Sequence, residues 1–512
     1  MAKILRRPLA ASRVDFDLII IGGGIQGVML SLEASARGVK SLLVEKADFG
    51  HATSFNSLRI LHGGLRYLQN MDLLRFRESV HERRWFMQCF PDLIAPLPCL
   101  MPLYGTGLHR IGVLAIALKL NDLLSGRRND AVRDDIHLLD GRVVSAGEAE
   151  LLFPLIDAVG LQGGAIWYDA FMPNSQRVLM EALRWSCSLG GMALNYVEAT
   201  KLLVGGGRVA GIAATDQETG ESFEYRAGTV INAAGPWCPA VADRFAAAMP
   251  NELAYSLAWN VLFEREALSS HVLAVTARKP GAQTLFLCPW NGRLLAGTAH
   301  LPAAPTRDHP VPGQNHINRF VAEINDAVPG LGLRAQEIRR VFSGFLPAKH
   351  GAKNSLAVRE TIVDHGRHGG PKGLFTVAGI KFTTSRRVAA KTLQLAVPGS
   401  VGSPAAGTTW DSRPLRGLDA SVEPSAAGWA DDLNAVIADE SVIHLDDLVM
   451  RRTALWDSPD RALILAPELC DLFDWDRERS AAETERLRKC FGPVRTELED
   501  REATFGKFGE AG

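Results

Sequence analysis

Residues 15–21 read DFDLIII, a short apolar run rich in β-branched residues. An uninterrupted run of this kind predicts a strand buried on both faces, as in a parallel sheet. It passes directly into GGGIQG at residues 22–27, and the VMLSLEASAR that follows is small and apolar at helical spacing. Gly38 closes that helix, and SLLVEK predicts a second strand ending at Glu45. Strand, glycine turn, helix and strand in this order predict a nucleotide-binding βαβ unit. Further on, LFLCPWNGRLLAGT (285–298) predicts two strands around an Asn-Gly turn. Residues 396–428 are rich in Gly, Pro, Ser and Ala and predict a linker. Residues 91–124 are apolar with Arg110 and Lys119 interspersed. The helical part of this stretch predicts either a buried or half-buried helix or one lying on a membrane surface. No window reaches the ~18 uninterrupted apolar residues of a spanning helix, and there is no internal repeat.

Each glycine of the turn has a physical task. Gly22 permits the tight turn, Gly24 lets the backbone approach a pyrophosphate, and Gly27 lets the helix pack closely on the strand. The helix N-terminus, opening at Ile25 and Gln26, offers free N–H groups and a positive dipole end to phosphates. Glu45, at the end of the second strand, suits a ribose hydroxyl. These residues predict a dinucleotide and leave FAD and NAD both open.

Composition narrows the class. The 512 residues allow two or three domains. With 47% hydrophobic and 22% charged residues the chain reads as a globular enzyme. A formal net charge of −1 argues against nucleic acid as a partner. The seven Cys stand singly, without metal-ligand or redox spacing, so no metal is expected and a reducing, cytoplasmic setting is. The basic first ten residues lead into no apolar stretch, so no signal peptide is expected.

Residues 48–68, DFGHATSFNSLRILHGGLRYL, carry a more specific signal. With the preceding Glu45 they resemble the FAD-dependent (respiratory) glycerol-3-phosphate dehydrogenase family, within the D-amino-acid-oxidase-like flavoproteins. That family has a D-F-x-x-x-T-S segment and then H-G-G-L-R-Y-L beside the flavin. The likeness continues through VINAAGPW (230–237), SGFLP (343–347), Val358-Arg359-Glu360, FTVAGIKFTTS (375–385) and HLDDLVMRRTA (444–454). It implies an α/β fold, with a discontinuous Rossmann-like FAD domain at 14–75, 150–240 and 340–395. It also implies a mixed-sheet substrate domain at 76–149 and 241–339, and a C-terminal helical domain at 429–512. The implied cofactor is non-covalent FAD, although His51 beside the flavin segment raises covalent attachment. Its implied contacts are Gly22, Gly24, Ile25, Gln26, Gly27, Glu45, Lys46, Thr53, Ser54, Ser57, His62, Gly63, Gly64, Leu65, Val197, Ala233, Ala234, Gly235, Trp237, Gly344, Gly379, Ile380, Lys381, Phe382 and Thr383. At residues 379–385 a helix N-terminus would face the pyrimidine end of the flavin and stabilise the charge of the reduced ring.

The resemblance also implies the chemistry. A C–H beside a hydroxyl loses hydride to flavin N5 while a base takes the hydroxyl proton, and cations hold a phosphate. Arg66, Tyr67, Arg359 and Lys381 match the family's substrate residues. Two matches fail: Leu346 stands where the loop carries an Arg, and Asn260, after Trp259, where a strand carries a His. Trp259 and Leu346 are expected to make the pocket more apolar, and Lys349 with His350 to restore charge or to form a solvated loop. A small polyol-phosphate-like substrate other than plain glycerol 3-phosphate is therefore expected. Lys381 is the favoured proton acceptor, His62 the second candidate, and Arg359 completes the catalytic set. Quinone or oxygen stands as the electron acceptor, with peripheral contact at the cytoplasmic membrane face and a homodimer both open. An FAD-dependent oxidase of the same superfamily and a flavin-binding partner protein without catalysis are the competing readings.

Overall fold

Asp15–Ile21 is the spine of an eight-stranded sheet. Its path runs Thr361–Asp364, Leu374–Ala378, Ser222–Asn232, Asp15–Ile21, Ser41–Val44, Met192–Leu194. Four of its five pairings are parallel, Thr361–Asp364 on Leu374–Ala378 being the antiparallel one; Ile19 is level with both Val230 and Leu42, and Leu42 with Met192. All of Leu18, Ile19 and Ile20 are fully buried, as a strand covered on both faces requires. An antiparallel pair, Val197–Gly205 and Arg208–Asp216, extends from Ser222–Asn232. The helix Ile25–Ala36 covers the sheet and packs between Ser175–Ser188 and Ser385–Ala396.

These facts come from a computed structural model that describes residues 2–69, 71–105, 110–247, 249, 253–277, 282–305, 310–349, 355–399, 409–412 and 428–491. Residues 7–412 form one unit, and residues 1–6 with 413–512 form another.

The larger unit holds a second, nine-stranded sheet. It runs Ile338–Ala348, Ala254–Glu266, Arg293–Pro302, Thr284–Trp290, Val272–Thr276, Ala95–Leu103, Gly163–Phe171, Ile60–Leu61, with Arg142–Ser145 also on Gly163–Phe171. The pairings are antiparallel except Val272–Thr276 with Ala95–Leu103. The hairpin predicted over 285–298 is present, with Asn291 at φ 48° and Gly292 at φ 73° as its turn demands.

The sheets do not divide the chain where the sequence suggested. Ile60–Leu61, Gly163–Phe171 and most of Ile338–Ala348 fall inside the three segments expected to build the nucleotide domain, yet pair in the second sheet. Residues 95–103, in the apolar stretch ahead of the helix, are also a strand of that sheet. Among the described residues of 91–124, Ile111–Leu124 is helical; Leu114 and Leu118 are buried, while Val113, Ile116, Leu120 and Leu123 are 40%, 71%, 42% and 78% exposed. No helix among the described residues is long and apolar enough to cross a membrane.

The smaller unit is helical over its described part, with Trp429–Asp439, Pro459–Asp471 and Arg477–Phe491 contributing Leu433, Leu469 and Leu487 to its interior. Ile4 N–H donates to Asp439 O at 2.7 Å, tying the N-terminal residues to it. Most of the expected linker and residues 492–512 lie outside the described residues.

Candidate functional site

A cavity of about 430 Å³ runs along the carboxyl ends of the first sheet and under one face of the second. That is the usual place for a ligand in an open α/β sheet, and the size suits a small-molecule or cofactor site of roughly 300–1,000 Å³. Its lining includes Glu45, Val197, Ala233 and Trp237 and also His62, Asn260, Leu346 and Lys381.

The glycine turn is tightly constructed. Gly22 has φ 110°, and a Cβ there would meet Ala233 O at 2.6 Å. A Cβ on Gly27 would overlap Gly22 O and meet Gly22 C at 3.1 Å. The turn is therefore pressed against the Ala233-Ala234 turn on one side and the helix on the other. Glu45 reaches back to it: Oε2 accepts from Gly23 N–H at 2.6 Å and Oε1 from Ala47 N–H at 2.9 Å. Ser54 Oγ accepts from Ile25 N–H at 2.9 Å, docking the 48–58 segment onto the helix N-terminus. A Cβ on Gly344 would meet Thr53 Oγ1 at 2.8 Å, and Thr53 Oγ1 donates to Phe345 O at 3.2 Å. Gln26 fills the space a Cβ on Gly379 would take, and its buried Oε1 has no hydrogen-bond partner.

An elongated wall of backbone turns, a carboxylate at one end and an orphaned amide oxygen in the middle fit a dinucleotide. Among the expected cofactor contacts, the glycine turn with Ile25 and Gln26, Glu45, Lys46, Thr53, Ser54, Ser57, His62, Val197, Ala233–Gly235, Trp237, Gly344 and Gly379–Thr383 all border the cavity. Gly27 does not, because it serves helix packing. Neither do Gly63, Gly64 and Leu65. Gly63 abuts the Arg83 guanidinium, and Gly64, at φ 90°, turns the chain into the helix Leu65–Gln69.

The substrate-side candidates divide. Lys381 sits on the loop before Ser385–Ala396, with Nζ against the Tyr67 hydroxyl and 4.6 Å from its ring centre. Burial, and secondarily the charge of Arg66, push Lys381 down to about 8. Arg66 is exposed beside it. Tyr67, Arg359 and Lys381 line a small second cavity; Lys381 and Ile380 line the main one as well, Tyr67 and Arg359 do not, and Arg66 lines neither. Leu346 lines the main cavity, half-buried. Asn260 lines it too, but its amide is engaged: Nδ2 donates to Asn56 O at 3.0 Å and Oδ1 accepts from Thr298 Oγ1 at 2.8 Å.

Trp259 is displaced from the expected set. Neighbouring residues of a strand point to opposite faces. With Asn260 toward the cavity, Trp259 packs into the far-side core beside Phe320, ring centres 6.4 Å apart. It cannot shape the pocket wall directly. Lys349 is exposed, and His350 lies outside the described residues.

Sequence reasoning missed the group behind His62. Its Nδ1 lies 3.4 Å from Asp169 Oδ2, and Asp169 is 4% exposed. Asp169 Oδ1 accepts from Gly63 N–H at 2.6 Å and from Arg83 Nη1 at 2.8 Å. Burial alone would raise the carboxyl, but the His62 bond and the Arg83 charge outweigh it and hold Asp169 below the usual range. The one legible signal was a carboxylate inside an otherwise apolar strand, GGAIWYDAF, which requires a partner. Arg59 was also missed: it borders the cavity with its guanidinium 4.3 Å from the Trp290 ring centre.

Comparison with known proteins agrees with this construction. The family model "FAD dependent oxidoreductase" (DAO) matches residues 17–393. The chain is 30% identical over 389 residues to a glycerol-3-phosphate dehydrogenase of Synechocystis, covering 73% of this chain and 68% of that one. It is 30% identical over 400 residues to the mitochondrial glycerol-3-phosphate dehydrogenase of Mus musculus, covering 75% of this chain and 53% of the relative. The chain thus spans about half the length of the mitochondrial relatives it matches. The structure of a Bacillus halodurans glycerol-3-phosphate dehydrogenase complexed with FAD superposes with a TM-score of 0.70 at 18% identity, covering 94% of this chain and 95% of that one, which is a likeness of fold. A family model spanning strands of both sheets and every wall of the cavity decides the matter: the chain belongs to the FAD dependent oxidoreductase family.

Proposed function

We propose that this chain is an FAD-dependent dehydrogenase that oxidises a secondary alcohol of a phosphate-bearing polyol larger than glycerol 3-phosphate. The observation that carries this reading is a cavity wall that presents the cation Lys381 together with the apolar Leu346 and with Asn260, whose amide is held by Asn56 O and Thr298 Oγ1. Cations suit a phosphate. The apolar Leu346 suits a carbon-bearing extension that glycerol 3-phosphate lacks.

The glycine turn, Glu45, the 53–57 segment, the 233–237 turn and the 379–383 loop would hold FAD. When bound, FAD supplies the acceptor for the hydrogen and electron pair leaving the substrate carbon. Two side chains bordering the cavity carry a basic nitrogen near its substrate end, Lys381 and His62. At about 8, Lys381 stays mostly ammonium at neutral pH and suits holding negative charge on the substrate. His62 then takes the role of proton acceptor, reversing the order favoured from sequence. The exposed stripe Val113, Ile116, Leu120 and Leu123 supports peripheral contact with a membrane, and with it a quinone as electron acceptor.

Anaerobic flavin reduction by glycerol 3-phosphate tests the substrate assignment. The expected kcat/KM lies well below ~10⁴ M⁻¹s⁻¹, the low end for good enzyme–substrate pairs. A value at or above that would make glycerol 3-phosphate the substrate and remove the argument from Leu346.

A further inference from the structure

We infer that Asp169 is a positioning residue: it fixes the His62 imidazole with its proton on Nδ1, so that Nε2 offers a lone pair to the cavity and takes the substrate's hydroxyl proton. This rests on the alcohol oxidation proposed above. His62 borders the cavity with its ring tilted against Phe286, 5.6 Å between centres, and Nδ1 directed away toward Asp169. The 3.4 Å separation is long for a hydrogen bond, as such contacts commonly are before substrate binds.

The surroundings of Asp169 make the assignment specific. Oδ1 is committed to two donors, Gly63 N–H and Arg83 Nη1, and Oδ2 faces His62 Nδ1 and Trp167 Nε1, each at 3.4 Å. An ionised carboxylate only accepts. The nitrogen of His62 that faces it must therefore donate, and in the neutral imidazole the other accepts. In the reaction the substrate O–H bond breaks and its proton goes to Nε2. The pair left on oxygen becomes the second C–O bond, as the carbon's hydrogen departs with its own pair to the FAD acceptor. The imidazolium so formed lies against the Asp169 carboxylate, which offsets its charge.

Asp169→Asn separates this role from a structural one. Because Gly63 and Arg83 still require an acceptor, the Asn oxygen must keep the Oδ1 position and its NH₂ must face His62. A donor there forces Nδ1 to accept, so the proton moves to Nε2 and the cavity-facing nitrogen loses its lone pair. Holoenzyme labelled with ¹⁵N-histidine, with the His62 signal assigned by His62→Gln, reads the tautomer directly. The expected result is Nδ1–H in the native protein and Nε2–H in Asp169→Asn. Bleaching by any polyol phosphate that reduces the native flavin should slow by roughly 10²–10⁴-fold, while FAD content and reduction by dithionite stay unchanged. An Nε2–H tautomer in the native protein would overturn the inference, even if Asp169→Asn failed to fold. So would bleaching within about 3-fold of native in a folded Asp169→Asn protein. If no polyol phosphate bleaches the native flavin, the proposed substrate class fails, while the native tautomer still decides the Asp169–His62 arrangement.

Discussion

Leu346→Arg restores a cation where the family resemblance implies one, and its effect can be worked from the cavity wall. Leu346 is half-buried on Ile338–Ala348, in register with Ser256 of the neighbouring strand. Removing a half-buried Leu forfeits about 1 kcal/mol of burial, and the strand remains held by the Thr53 bond to Phe345 O. A guanidinium reaching a substrate phosphate gains about 1.5–3 kcal/mol, as hydrogen bonds to charged groups do. That converts to a rise of roughly 10–150-fold in kcat/KM for glycerol 3-phosphate, since 1.4 kcal/mol is tenfold. The gain should fall mainly on KM, because the phosphate is bound alike in ground and transition states. Stopped-flow anaerobic reduction of the flavin by glycerol 3-phosphate, native against Leu346→Arg, measures it. Reactivity with the larger substrate proposed above should fall in the same variant, because the new side chain occupies the apolar wall. An unchanged or lower rate with glycerol 3-phosphate, in a variant retaining its FAD, would refute the placement of Leu346 on the substrate wall.

Gly27→Val should yield protein that has lost most of its flavin absorbance. A Cβ there overlaps Gly22 O, and relieving such overpacking costs about 1–3 kcal/mol, or roughly 5–150-fold in FAD affinity; full FAD loading would contradict the tight turn. The turnover of the native enzyme should fall as pH rises through about 8, where Lys381 loses its ammonium charge. Lys381→Met should be slow and lack that limb, whereas a rate that rises through the same pH would identify the neutral amine as the base. Arg386→Met removes the guanidinium that Glu82 holds at 2.6 and 3.0 Å and Glu33 at 3.3 Å. Breaking this buried pairing, which leaves Glu33 with Arg37 at 2.8 Å and Glu82 with His81 at 3.1 Å, should cost about 3 kcal/mol, seen as a lower denaturant midpoint, and an unchanged midpoint would contradict the network's structural role.

The cofactor half of the site was legible because its signals are local. Gly22, Gly27 and Glu45 lie within one βαβ unit, and their tasks follow from backbone geometry alone. The sheet boundaries were not legible, since Gly163–Phe171 and Ile338–Ala348 are apolar strands that either sheet could accept; only their partners decide. Trp259 shows how a single-residue reading fails. Position in a motif said pocket, but the period of two along Ala254–Glu266 sends its ring to the core once Asn260 faces the cavity. Asp169 was invisible in role because it meets His62 from 107 residues away. The first part of the apolar stretch 91–124 stayed unassigned for the same reason: Ala95–Leu103 is apolar because two strands flank it.

The central claim is that a cavity shaped for FAD, with Lys381 and the apolar Leu346 on its wall, oxidises a phosphate-bearing polyol larger than glycerol 3-phosphate. Anaerobic bleaching of the bound flavin across a panel of glycerol phosphate derivatives and phosphorylated sugars tests it most directly. Rapid bleaching by a member carrying an extension beyond the phosphoglycerol unit, with slow bleaching by glycerol 3-phosphate itself, is the predicted result. Bleaching by no member of the panel, in protein that dithionite reduces normally, would contradict it.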